Sequence, residues 1–237
     1  MAGVLVGNLI YCSLACFLAR RILPWSPGWD STLVRHHLVY GGISAGASVA
    51  GVLAPLGLKS IFVSALGPAA AAGPLLALDL LQRPIGMIIT SLQAVRYPEL
   101  VARFDREGDT GAIQVELGRY YALLTGFSLI GAAGMTALLG GAAWAIVPSA
   151  LQHSFLQTAP LIMLVALLRA LIHTLLSTPA HLQRRLPAIV GLAVFDCVLT
   201  CAGALLAATL IPDDGGAIAA GAAGGAAAAA AGGTILL

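Results

Sequence analysis

The sequence predicts an all-α fold: a polytopic helical membrane bundle of about seven transmembrane helices, N-terminus outside and C-terminus inside. Three observations carry this. Only 9% of the 237 residues are charged and 59% are hydrophobic, whereas a soluble domain carries about a quarter charged residues. Apolar runs of about 20 residues, long enough to cross a bilayer as helix, recur along the chain. Finally, nine of the twelve Lys and Arg residues fall in alternate connections, the asymmetry that sets membrane orientation.

The first run, 2–19, ends at Arg20 and Arg21. It lacks the basic leading segment of a signal peptide, so it reads as a span entering from outside. The second is 37–63, containing Pro55 and Lys59. "ALGPAAAAGP", 65–74, has two prolines and two glycines and reads as a turn. The remaining runs are 74–95, 118–146, 159–178, 187–211 and 216–236. The last is an Ala/Gly segment with no charge, only mildly apolar but of spanning length. Gly42 with Gly46, and Gly221 with Gly225, have the spacing that lets helices approach closely.

Arg20, Arg21, Arg35, Arg96, Arg103, Arg106, Arg119, Arg184 and Arg185 lie in the loops after spans one, three and five. The opposite loops hold no basic residue, and one carries Asp213 and Asp214. The basic side is therefore expected to be cytoplasmic. Trp25, Trp29, Tyr40, Tyr97, Tyr120 and Tyr121 flank the basic loops, as an interfacial aromatic belt would. The densest charge lies in "RYPELVARFDREGDTGAIQVELGR", 96–119. Pro98 suits a first helical turn, and Leu100, Val101 and Phe104 form an apolar stripe. Gly108 can end that helix, and Asp109 or Thr110 can cap the next. A separate short helix is expected here, on the membrane surface or docked under the bundle.

The net charge of +2 gives no case for nucleic acid. Cys12, Cys16, Cys197 and Cys201 sit inside apolar runs at helical spacing and read as small packing residues, with neither metal nor disulfide implied. No phosphate-binding glycine loop, Gly-x-Ser-x-Gly elbow or metalloprotease His pair is present. The chain is not expected to be an enzyme or to hold a cofactor, although an intramembrane active site can be assembled from separate helices.

The charges left inside the spans are more informative. Asp79, Arg83, Arg169 and Asp196 are central, His173 lies one turn after Arg169, and Lys59 sits late in span two. A charge at the bilayer centre costs about 2.5–3.5 kcal/mol on insertion scales, so such residues face the protein interior or a wet cavity. Asp79 and Arg83 are four apart and can pair; internal pair and polar pathway are both open for them. Arg169 and His173 share a face with no acid in their own span. Their partner must come from another helix, and Asp196 is the candidate. An interhelical pair is one reading; a cavity is favoured, because ionisable residues in membranes mark pathways. His36, His37 and His181 read as interfacial or loop residues, and His153 lies in an outer loop.

The segment "LGPAAAAGPLLALDLLQRPIGMIITSLQAVRYPELVARFDREGD" resembles polysaccharide flippases of the multidrug/oligosaccharidyl-lipid/polysaccharide exporter superfamily. Leu66, Gly67 and Gly73 match a turn, and Pro98, Leu100, Arg103, Gly108 and Asp109 match the end of the next helix and its loop. "IPDDGGAIAAGAA" is similar to the start of the family's last helix at Pro212, Gly216, Gly221, Ala222 and Ala223. The resemblance covers nearly the whole chain in helix order, and drug exporters of the superfamily share the topology. It implies two six-helix lobes around a central cavity. Residues 1–36 would then be the last helix of a missing first lobe plus a cytoplasmic linker, and 37–237 the six-helix second lobe. A second lobe on a partner chain, a homodimer or a mis-assigned start of the chain would each complete that arrangement, and all three are open. So is a lipid-linked oligosaccharide substrate, a sugar repeat on undecaprenyl pyrophosphate, moved to the outer leaflet of the bacterial inner membrane. On that reading Arg83, Arg169 and Lys59 form a cationic path for the pyrophosphate. Asp79, Asp196 and His173 pair or couple to a proton or sodium gradient. A drug or ion antiporter, an intramembrane enzyme and a seven-helix sensor are the alternatives; a retinal-type sensor would need a lysine in the last span, which has none.

Overall fold

The structure is a computed structural model describing residues 13, 14, 17, 31–108, 111–183 and 185–236. The chain divides into two compact units, Met1–Val39 and Tyr40–Leu237. In the first, Ser13, Leu14, Phe17 and 31–39 are helical. The expected span 2–19 otherwise lies outside the described residues, as do Trp25, Trp29 and the capping residues Asp109 and Thr110.

In the second unit, among the described residues, five helices are long and apolar enough to cross a membrane: Gly41–Arg106, Gly111–Ile146, Ser149–Leu182, Pro187–Leu210 and Gly215–Thr234. The all-helical expectation holds, but the described residues show five such helices rather than seven. The expected second and third spans fall in one helical stretch, Ser31–Glu107, with a single non-helical residue, Gly67 (φ 75°, ψ 162°). That conformation is essentially restricted to glycine. Pro68 follows it at once, pre-set for a first helical turn. The ten-residue turn expected over 65–74 is thus a one-residue break between α1 (31–66) and α2 (68–107).

The break reverses the chain. Lys59 Nζ lies 2.7 Å from Asp79 Oδ1. Twenty residues of straight helix would hold them about 30 Å apart. Hence α1 from residue 40 onward runs antiparallel to α2. The short helix expected from Pro98 onward is not separate; it continues α2, with Pro98 inside the helix. Leu100 is buried in the core, and Val101 and Phe104 are half-buried, so one face still pulls inward after the apolar run ends at Arg96. Gly108 (φ 68°) stops α2 as expected, its N–H donating to the Phe104 carbonyl at 2.9 Å in the left-handed C-terminal motif. Arg103 and Arg119 both reach Glu116, at 3.3 and 3.0 Å, clipping the end of α2 to α3 (Gly111–Ile146).

Next come α4 (Ser149–Leu171), a π-helical turn (Ile172–Leu176) and α5 (Ser177–Leu182). These run on as one helix. Helices α6 (Leu186–Leu210) and α7 (Gly215–Leu236) complete the bundle and pack extensively on each other, with α7 also packed on α4. The α6–α7 contact depends on missing side chains. A Cβ at Gly203, Gly221 or Gly225 would overlap backbone of the facing helix. The Gly221–Gly225 expectation holds. Gly42 and Gly46 instead have nothing within reach of a Cβ.

The core joins Leu58, Phe62, Leu78, Phe155, Ile162 and Ile218 with many alanines. The outer surface carries Leu53, Phe127, Ile130, Leu138, Trp144 and Leu206. Water would penalise that surface, at about 25 cal/mol per Å² of apolar area; lipid does not. Tyr120 and Tyr121 depart from the aromatic-belt expectation. Tyr120 is buried, and Tyr121 donates its hydroxyl across to the Leu175 carbonyl at 2.8 Å.

Candidate functional site

Asp196, on α6, is fully buried. Its Oδ2 accepts from Arg169 Nε at 2.9 Å and lies 2.9 Å from His173 Nε2. Its Oδ1 accepts the Thr200 hydroxyl, one turn along α6, at 3.3 Å. Arg169 also donates from Nη2 to the Gly51 carbonyl of α1 at 3.4 Å. One cluster therefore ties α4, the π turn, α6 and α1. The expected cross-helix partner of Arg169 is the observed one. Nothing in the sequence singles out Thr200.

The helix carrying Arg169 and His173 is adapted to show them together. Arg169, His173, Ser177 and His181 follow one another at intervals of four. In a regular α-helix each such step drifts about 40° around the axis. The wider π turn at 172–176, with its i→i+5 bonding, drifts the other way. The stripe consequently stays on one face, and all four residues line one cavity of ≈ 460 Å³. Ser48 of α1 and Gln82 of α2 line it too. Hydroxyls support the irregular turn. Thr174 donates to the Ala170 carbonyl at 2.8 Å, Thr178 to that of Thr174 at 2.5 Å, and Ser177 to that of His173. Together with Tyr121 on Leu175, they satisfy carbonyls around the local departure from α geometry. Sequence reasoning misses Ser177, His181, Ser48 and Gln82 as site residues, although the four-residue interval from Arg169 is an available signal for the first two.

The other expected site residues lie elsewhere. Asp79 does not pair with Arg83; it is bonded to Lys59 across the α1–α2 hairpin. The four-residue spacing permits the local pair, but the chain reversal brings Lys59 closer. Both side chains of the bridge are partly exposed, at 33% and 53%. Arg83 is exposed on the outside of the bundle and has no hydrogen-bond or ion-pair partner among the described residues. Neither Lys59, Asp79 nor Arg83 lines the cavity.

Chemically the cluster is a compensated ion pair with an imidazole beside it. The carboxylate sits behind Arg169 and His173, which are the groups the cavity meets. Among the described residues no group of three or more His, Cys, Asp or Glu side chains is placed to hold a metal. In comparisons with protein-family models, curated proteins and solved structures, nothing matches the chain.

Proposed function

We propose that the chain is a multi-pass membrane transporter which, with a second lobe or second copy, flips undecaprenyl-pyrophosphate-linked polysaccharide repeat units to the outer leaflet. In this reading residues 2–19 supply one span and the break at Gly67 makes two of the longest helix, giving seven. The basic loops face the cytoplasm of a bacterial inner membrane, with the N-terminus outside and the C-terminus inside.

Arg83 is the observation that carries the proposal. It lies nine residues into the expected span 74–95, about 14 Å by helical rise, near the middle of a hydrocarbon core about 30 Å thick. A full cation exposed at that depth is costly against lipid. It is stable against an anionic substrate or a wet cleft shared with another lobe. Lys59 and Asp79, partly exposed on the same hairpin, extend the polar surface. A pyrophosphate offers the paired oxygens that a guanidinium binds best. Arg169, neutralised by Asp196, is the weaker candidate for substrate and the stronger one for coupling to an ion gradient with His173.

The test is flipping of a fluorescent undecaprenyl-pyrophosphate oligosaccharide by the complete transporter in liposomes. Arg83→Ala should slow it about tenfold or more, the equivalent of ~1.4 kcal/mol. Arg106→Ala, at the exposed end of α2, should leave it unchanged. Equal rates for wild type and Arg83→Ala would overturn the cationic path.

A further inference from the structure

The ≈ 460 Å³ cavity does not end at the stripe. A second cavity of ≈ 420 Å³ is lined by Thr90, Gln93 and Tyr97 of α2, together with Ser177, Thr178 and His181. The two share Ser177 and His181. The second lies beside the end of α2 that carries Arg96 and Arg103. From His181 to Arg169 is twelve residues, about 18 Å of helix, or roughly half of a hydrocarbon core. Over that length the helix turns a polar residue into open space at every fourth position.

Beyond Arg169 the character changes. Val165, Ile162, Ala159 and Phe155 are all buried, and Leu58, Phe62 and Leu78 close around them. Thr158, a polar residue of this part of the helix, is buried and spends its hydroxyl on the Ser154 carbonyl of its own helix at 2.9 Å. The buried interior of this half offers water no free partners, and water enters a cavity only where it finds polar ones; the Lys59–Asp79 bridge there is on the partly exposed side of the hairpin.

We infer that the stripe Arg169–His173–Ser177–His181 walls a water-filled vestibule, open only at the end of the bundle carrying Arg96, Arg103 and Arg119, and blind at the Asp196 cluster. Small polar solutes reach the cluster from that side alone. The inference rests on the membrane-spanning reading of the bundle but not on the substrate. Its test therefore uses no transport measurement, and its failure is distinct from that of the flippase proposal.

The experiment is cysteine accessibility in a background with Cys12, Cys16, Cys197 and Cys201 changed to Ala. Single variants Ser177→Cys, Ala170→Cys and Ala159→Cys are placed in sealed membrane vesicles of both orientations. Each is treated with a membrane-impermeant cationic thiol reagent. Arg106→Cys marks which vesicles expose the basic end. Ser177→Cys and Ala170→Cys should react in the same vesicles as Arg106→Cys and not in the others, whereas Ala159→Cys should react in neither. Lack of reaction at Ser177→Cys and Ala170→Cys, or reaction from the opposite side, would overturn the vestibule. Equal reaction at Ala159→Cys would overturn the blind end. If either cavity variant fails to elute as a single species in detergent, Gln93→Cys, on the facing wall, decides in its place by the same criteria.

Discussion

Asp196 has no route to solvent except through its neighbours, so its charge depends on them. Removing one member of a buried ion pair leaves the other uncompensated, at a cost of about 3–5 kcal/mol; replacing both by apolar residues of similar volume is often neutral. Asp196→Ala should therefore destabilise the protein by about that amount in a detergent unfolding titration. The double variant Arg169→Met/Asp196→Leu should lie much nearer wild type. An equal loss in both would mean the charges stabilise through packing alone. Arg83 is the opposite case. It has no partner among the described residues, so Arg83→Ala should leave the unfolding midpoint in place while slowing transport. The importance of Arg169 and Asp196 is legible in the sequence because charge inside an apolar run is conspicuous. The Asp79 partner is not. Spacing suggests Arg83, and only the reversal at Gly67 brings Lys59 within 2.7 Å. His181 reads as interfacial in the sequence because an apolar run marks depth but not the direction a side chain faces.

Helix boundaries follow the same logic. Apolar runs locate α6 and α7 to within a residue of where they stand, because those helices end close to where the hydrophobic residues do; α3 ends where its run does but begins seven residues earlier, at Gly111. The long stretch Ser31–Glu107 is harder. Its five internal prolines look like breaks in sequence, yet neighbouring helices let membrane helices keep proline, and only the glycine at 67 interrupts the run. Gly67→Ala would force a side chain into a conformation costing about 1–3 kcal/mol, and the loss should appear in the same unfolding titration. An unchanged midpoint would mean that the reversal does not need this backbone geometry. The α6–α7 pair is sensitive in a different way. Gly225→Leu would drive a side chain into the Leu199 backbone, and overpacking of this kind costs about 1–3 kcal/mol. Gly46→Leu, with open space around it, serves as the neutral comparison. The π turn is invisible in sequence, since nothing in "IHTLL" forbids a regular α-helix. Its surroundings disclose it, through the hydroxyls that bond carbonyls 170, 173, 174 and 175.

For the molecule as a whole, the apolar exterior and the polar seam exchange the places they hold in a soluble protein. Leu53, Phe127, Ile130 and Trp144 face out, while Arg169, Asp196 and Thr200 are inside. This inversion can be read from composition alone, and it makes the helical membrane class legible in the sequence. Exposed Arg83 and the half-exposed Lys59–Asp79 bridge mark a face that lipid does not solvate well.

The bundle is also unequal along its length, and that has an electrical consequence. One half has hydrated walls as far as Arg169; the other is close-packed inside, around Phe62 and Phe155, with the Lys59–Asp79 bridge toward its surface. A conducting vestibule cannot sustain a voltage, so nearly all of the transmembrane potential falls across the packed half. A charge leaving Asp196 toward the Gly67 end would then traverse almost the full potential, about 2.3 kcal/mol per 100 mV, within half the membrane's thickness. The Arg169–Asp196 pair stands at the edge of a focused field, where a modest voltage acts on its charges most steeply.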